Sequence, residues 1–321
     1  MTAFDSPADP APPIRGHLST RHHHHGWWWK SLLVGLALWV VTIFVTGLTL
    51  NSNLIPTLIL LGSFLVPFCV VLFVVERVTG NISMLQLVLA FFVGGIFGVL
   101  GASLLEANLG ATPVLYVAVG LIEEFVKGVV LVVIGWRVVP KTAAQGALLG
   151  ATVGAGFAAF ESAGYAFNAA LSSQGIDLVS LLQTEVIRSL TAPVAHVLWT
   201  AILGAVIFGA ARGGSRYRWS WWIPVAYIGG SLLHALWDSM SGIASVLAVL
   251  LTGGALDELR SGFLTTQTQR TLEALTTTFY VVGLALVAIV GVTFLVLVLR
   301  HFRRREQPDV TEIETETRAA S

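Results

Sequence analysis

The sequence predicts an all-α fold: a polytopic membrane helical bundle of about eight transmembrane helices with both termini cytoplasmic. Three observations predict it. Of the 321 residues, 55% are hydrophobic and only 11% charged, against about 25% charged in soluble domains. Apolar runs of about 20 residues, enough to cross about 30 Å of hydrocarbon, recur along most of the chain. The cationic residues are distributed unevenly between alternate connecting segments, as in a chain threaded repeatedly through a bilayer.

Residues 1–26 are rich in Pro, Ala, Asp and His and precede any apolar stretch. They read as a disordered cytosolic tail rather than a signal peptide. The His22–His25 run is at most a weak metal-binding pattern. Trp27, Trp28 and Trp29 followed by Lys30 mark the first membrane interface. The single domain over 27–300 then holds spans at roughly 31–50, 54–75, 82–105, 112–135, 142–171, 186–211, 221–251 and 277–299. The segments 172–185 and 252–276 read as the longer connecting loops. Residues 301–321 form a charged cytosolic tail, acidic and disordered from Glu306 onward. Cys69, the lone cysteine, excludes an intrachain disulfide and any cysteine metal site.

With the N-terminus inside, nearly all of the 18 Lys and Arg fall in inner segments. Only Arg188, Arg260 and Arg270 fall outside, and Lys127 lies within a span. That bias fixes the orientation and supports an even number of crossings. Nothing in the chain points to nucleic acid; the lipid bilayer is its medium.

Seven ionisable side chains interrupt the apolar spans: Glu123, Glu124, Lys127, Glu161, His196, His234 and Asp238. Each costs roughly 2.5–3.5 kcal/mol at a helix centre for Asp or Lys, so a function is expected of them. Lys127 stands at i+4 from Glu123 and i+3 from Glu124, within reach of either. One carboxylate can pair with it while the other points into a cavity. Glu161 has no basic neighbour on its own helix and needs a partner from another span, a proton or a metal. Gly146, Gly150 and Gly154, at four-residue spacing, read as a close-packing stripe on the same helix. Pro193 precedes His196 and can kink that span. His234 and Asp238, at i and i+4, share one face. Counting about 1.5 Å per residue from the span ends brings all of these between the bilayer centre and the outer leaflet. The catalytic core is therefore expected within about 82–251.

Carboxylates and imidazoles around one cavity suit a metal with an open coordination position, beside a carboxylate acting as general base and a histidine donating to an oxyanion. Peptide-bond hydrolysis follows from that chemistry. The same residue types also permit a proton- or cation-coupled transporter, and a catalytically inactive membrane scaffold is a further alternative.

The ordered set Glu123-Glu124-x-x-Lys127, Phe157-x-x-x-Glu161, His196 and His234-x-x-x-Asp238 resembles the PrsW family of intramembrane proteases, relatives of the CAAX-prenyl protease and bacteriocin-processing membrane proteins. Lysine in the first motif and glutamate at the end of the second favour the PrsW branch. The resemblance implies an intramembrane endopeptidase of the bacterial inner membrane that cuts a membrane-anchored substrate. In that family the substrate is an anti-sigma factor, cleaved on its extracytoplasmic side in a signalling cascade. It further implies that Glu123 activates the water and that Glu124 pairs with the structural counter-ion Lys127. Glu161, His196 and His234 would ligate a divalent metal, zinc by analogy, or share the water and donate to the oxyanion. Asp238 would orient His234.

Overall fold

The computed structural model describes residues 26–78, 81–110, 112, 114–173 and 175–306. The expected tail with His22–His25 and the segment 307–321 lie outside the described residues. Ten helices account for nearly all of the chain that is described: α1 Trp27–Thr49, α2 Ile55–Val75, α3 Met84–Glu106, α4 Leu115–Ile134, α5 Ala143–Ala170, α6 Leu178–Thr191, α7 His196–Gly209, α8 Trp222–Leu251, α9 Ala255–Ser261 and α10 Thr266–Glu306. The only strands among the described residues are the two-residue segments Leu171–Ser172 and Gly175–Ile176, an antiparallel hairpin between α5 and α6. The all-α membrane bundle stands.

Among the described residues, seven segments are long and apolar enough to cross a membrane. The 20-residue α4 stands beside them, equally apolar apart from Glu123, Glu124 and Lys127, and all three of these are buried. The helix exposed to lipid and the helix hidden from it are easily told apart. Only 11% of the apolar window of α1 is buried, against 89% for α5, which runs through the middle of the bundle.

The sequence explains why α5 can be central. A Cβ on Gly154 would run into the carbonyl oxygen of His196, one on Gly150 into that of Thr200, and one on Gly146 into that of Gly204. The stripe of small residues therefore seats the backbone of α5 directly on that of α7, as its spacing led us to expect. On the other side of α5, Gly156 admits the carbonyl of Phe91 from α3. Capping fixes where helices begin: Ser83 accepts from the Gln86 N–H at the start of α3, and Asp177 from the Ser180 N–H at the start of α6. In the connection between α4 and α5, Lys141 is fully buried and donates to the carbonyls of Gly135, Trp136 and Val138 at 3.2, 2.9 and 2.7 Å. It closes the C-terminal end of α4, and burial pulls its pKa below the ordinary lysine value.

Several boundaries differ from the sequence reading. The span expected at 186–211 is broken: α6 ends at Thr191, a 3-10 turn spans Ala192–Val194, and α7 starts afresh at His196. Pro193 cannot donate a backbone hydrogen bond, and Ala195 takes φ −115 and ψ −114, outside the helical region. Most of the expected loop 172–185 is consequently helix, because Asp177 caps α6. The expected loop 252–276 holds α9 and the first turns of α10, whose 41 residues extend well beyond 277–299. Glu306, read as part of a disordered tail, lies in α10 and accepts from the Ala143 N–H at 2.8 Å.

Candidate functional site

Two backbone contacts bring the polar residues together. Gly120 on α4 lies so close to α8 that a Cβ there would stand 2.5 Å from the Ser231 carbonyl oxygen. The Tyr227 hydroxyl donates to the Leu121 carbonyl at 2.8 Å. The same packing presents Glu123 and Glu124 to His234. The second contact, Gly154 against His196, sets Phe157 and Glu161 on the adjoining face of α5.

Lys127 is the hub. Its Nζ donates to Glu124 Oε1 at 2.7 Å, lies 3.2 Å from Glu123 Oε2 and 3.0 Å from His196 Nδ1. The ammonium also sits 4.2 Å from the centre of the Phe157 ring, which gives that residue of the second motif a cation–π role. Lys127 thus serves both acids, rather than Glu124 alone.

The hydrogen-bond partners fix the tautomers. An ammonium can only donate, so His196 Nδ1 accepts from Lys127 and its Nε2–H donates to Glu161 Oε2 at 2.9 Å. An ionised carboxylate can only accept, so His234 Nδ1–H donates to Glu124 Oε1 at 3.0 Å. Glu124, more than Asp238, orients the His234 ring. In the neutral ring the lone pair on His234 Nε2 then faces Glu123 Oε2 at 3.6 Å and Asp238 Oδ2 at 3.3 Å. Both His234 Nε2 and Glu123 Oε2 are buried and make no hydrogen bond. Two electron-rich atoms turned towards each other in a buried site need something positive or a proton donor between them.

That arrangement fits a divalent cation. Two ligands at the tetrahedral Zn–N and Zn–O distances of about 2.0–2.2 Å stand roughly 3.3–3.6 Å apart. His196 Nδ1 lies 3.7 Å from Glu123 Oε2, and among the described residues Glu123, His196 and His234 form a buried group of three donors within 4.8 Å of one another. Glu161, expected with the two histidines, lies on the far edge of the His196 ring and outside that group. Its Oε2 is held by Arg188 of α6, whose Nε donates to Ser162 Oγ at 2.8 Å and whose guanidinium stacks 4.2 Å from the Tyr165 ring centre.

All seven sequence-predicted residues are thus joined in one chain of contacts, at the head of a cavity of about 550 Å³. Glu123, Glu161, His196 and Asp238 line it directly. So do Arg188, Tyr165 and Glu106, which the sequence reading did not include. Arg188 was read as a charge outside the membrane; the clue to it was that Glu161 lacked any basic partner on its own helix. Glu106, at the end of α3, has a buried, unpartnered Oε1 and no motif to mark it.

Residues 56–257, from α2 into α9, match the model of the PrsW family intramembrane metalloprotease. The chain belongs to the PrsW family. The match begins before the stretch 82–251 that carries the motifs and takes in α2, leaving α1 and α10 outside. Neither a curated protein nor a solved structure matches the chain. As a PrsW family member the protein is an intramembrane protease, its medium is the bilayer, and a divalent metal is implied for the buried Glu/His/His site.

Proposed function

We propose that Glu123, His196 and His234 hold a zinc ion at the head of the cavity and that Glu161 is the general base of an endopeptidase acting on a single-span membrane protein. The observation that carries this is the buried pair Glu123 Oε2 and His234 Nε2, 3.6 Å apart and neither of them hydrogen-bonded, although Lys127 pairs with Glu123 Oε2. One imidazole nitrogen and one carboxylate oxygen at that separation are a donor pair for zinc. When bound there, the ion supplies a Lewis acid for the scissile carbonyl and a lower pKa for water.

The remaining work falls to side chains that are already positioned. Glu124 fixes the His234 ring through Nδ1–H, which leaves Nε2 as the donor atom. Lys127 offsets the charge of Glu123 and Glu124. For His196 Nδ1 to serve as the third donor, its lone pair must turn from Lys127 Nζ. Glu161 is anchored through Oε2 by Arg188 and His196, and its Oε1 takes no hydrogen bond among the described residues. That oxygen accepts the proton of the attacking water. The Arg188 guanidinium, on the same cavity wall, donates to the carbonyl oxygen as it gains charge. In this reading Glu123 and Glu161 exchange the roles implied by motif order.

Zinc content of the purified protein and cleavage of a co-expressed single-span substrate test the assignment together. Glu123→Ala and His234→Ala should lose both metal and cleavage. Glu161→Gln should keep the metal and lose cleavage. A Glu161→Gln protein that cuts at the wild-type rate would remove Glu161 from the chemistry.

A second reading rests on Lys127, whose ammonium already stands within 3.2 Å of both Glu123 Oε2 and His196 Nδ1. A water held between Glu123 and His234 would then be activated without metal. Full cleavage by protein whose metal has been removed with a chelator selects this reading.

The cation bias of the sequence supports cytoplasmic termini, a bacterial inner-membrane location and a cavity opening to the extracytoplasmic side. An anti-sigma-factor-like substrate, and with it a role in signalling, is the expectation consistent with that side. Cysteine labelling of residue 173 against residue 215 in intact cells checks the orientation.

A further inference from the structure

At the end of the bundle away from the cavity, α7, α8 and α10 leave a different kind of site. α7 starts at His196 and ends at Gly209, so about 1.5 Å of rise per residue puts this end roughly 20 Å from the metal donors. Just beyond α7, Arg212, Arg218 and Arg305 line a recess of about 310 Å³. None of the three has an acidic partner among the described residues. The nearby Glu306 carboxylate is occupied by the Ala143 N–H. Arg212 is also one of only two described non-glycine residues with positive φ, at 51°, a conformation that costs roughly 1–2 kcal/mol for an L-residue with a side chain. The turn holds an arginine where a glycine would be relaxed.

Phe302 forms one wall of this recess and also one wall of an adjoining groove of about 540 Å³. Phe294, Leu297 and Val298 make the groove apolar, while Arg300 and Arg304 stand at its rim. Trp219, Trp221 and Trp222 are exposed around the same end, as expected where a helix leaves the hydrocarbon. The site therefore combines an unpaired cationic recess at the level of the headgroups with an apolar groove running from it into the membrane.

We infer that this recess and groove bind an anionic phospholipid, its phosphate among Arg212, Arg218 and Arg305 and an acyl chain along Phe294, Leu297 and Phe302. Guanidinium groups bind phosphate oxygens in paired hydrogen bonds. A zwitterionic lipid brings its own ammonium into a recess that holds no acid to receive it, so the site discriminates by charge. Free phosphate leaves the groove unfilled. Several arginines immediately beside a membrane helix have the composition of a lipid-headgroup site.

Native mass spectrometry of the full-length protein in neutral detergent tests this, with dioleoyl phosphatidylglycerol and dioleoyl phosphatidylcholine as the added lipids. The wild type should retain phosphatidylglycerol with a preference on the order of a hundredfold, at roughly fivefold for each arginine. The triple variant Arg212→Gln, Arg218→Gln, Arg305→Gln should lose that preference, and the corresponding triple Lys variant should keep most of it. Thermal midpoints in detergent separate lost binding from lost fold. If the Gln triple does not fold, Arg305→Gln alone should lower the preference about fivefold. Equal retention of the two lipids, an unchanged preference in the Gln variants, or displacement of phosphatidylglycerol by millimolar inorganic phosphate would each overturn the inference.

Discussion

Lys127 Nζ lies 3.0 Å from His196 Nδ1, although 69 residues separate them in the sequence. This contact ties the Glu-Glu-x-x-Lys motif of α4 to the first residue of α7, and it decides the His196 tautomer. It is the one Lys or Arg side chain in contact with Glu123 and Glu124 among the described residues, and it is fully buried with them.

Replacing Lys127 with Met should therefore leave two buried carboxylates without their lysine countercharge. Removing one partner of a buried ion pair costs about 3–5 kcal/mol. We expect a markedly lower thermal midpoint in detergent together with loss of cleavage. Adding Glu124→Gln to the same chain should recover part of the midpoint and none of the activity. A double variant whose midpoint stays at that of Lys127→Met would leave the ion-pair account without support.

Arg188 should behave differently, because it borders the cavity and is partly exposed. Its Nε bonds Ser162 while its Nη2 holds Glu161, a two-point grip that a lysine ammonium cannot reproduce. Arg188→Gln should keep the fold and lower kcat by about 10²-fold, the usual loss for one transition-state donor. Arg188→Lys should restore only a minor share. A change confined to KM would show that Arg188 binds substrate without assisting the reaction.

These two residues also mark how far the sequence was legible. Glu123, Glu124 and Lys127 stand out because each is costly in an apolar helix and their spacing sets them within reach of one another. His196, His234, Glu161 and Asp238 stand out for the same reason, and the structure gathers all of them. Arg188 was not legible, because α6 carries Ser180, Gln183, Thr184 and Glu185 and so reads as a polar connection. Only the Asp177 cap and the packing of Leu181 into the core reveal a helix. The break at Ala192–Ala195 was signalled by Pro193, but not the resulting separation of α6 from α7. That separation is what lets Arg188 face Glu161.

The Gly154–His196 contact leads to a prediction about position rather than charge. A side chain at 154 must push α7 away from α5, since the atom it meets is backbone and cannot rotate aside. Gly154→Val should destabilise the protein by about 1–3 kcal/mol through overpacking. It should also abolish cleavage, because His196 moves relative to Lys127 and Glu161. Gly164, on the same helix with open space around its Cβ position, provides the control: Gly164→Ala should be active. Equal activity of the two variants would show that the register of α5 on α7 does not set the site.

Asp177 offers a test that depends on pH. It lies just before α6, outside the membrane-spanning segments, and accepts from the Ser180 N–H at 3.0 Å and the Ser180 hydroxyl at 2.7 Å. These bonds favour the charged form and hold its pKa below the ordinary value of 3.8. A carboxyl whose folded pKa is depressed contributes stability that is complete above its unfolded value and lost as pH falls through its folded value. The cap on α6 should therefore hold at neutral pH and weaken below about pH 3.8. Asp177→Asn keeps an acceptor for the Ser180 N–H but does not titrate. The difference in unfolding midpoint between wild type and Asp177→Asn should thus be constant above pH 5, and should shift against the wild type as acid is added. Other titrating groups cancel in that difference. A difference that stays level down to pH 3 would mean that the ionised carboxylate does not anchor α6, and Arg188 would have to be positioned by its contacts with Glu161, Ser162 and Tyr165 alone.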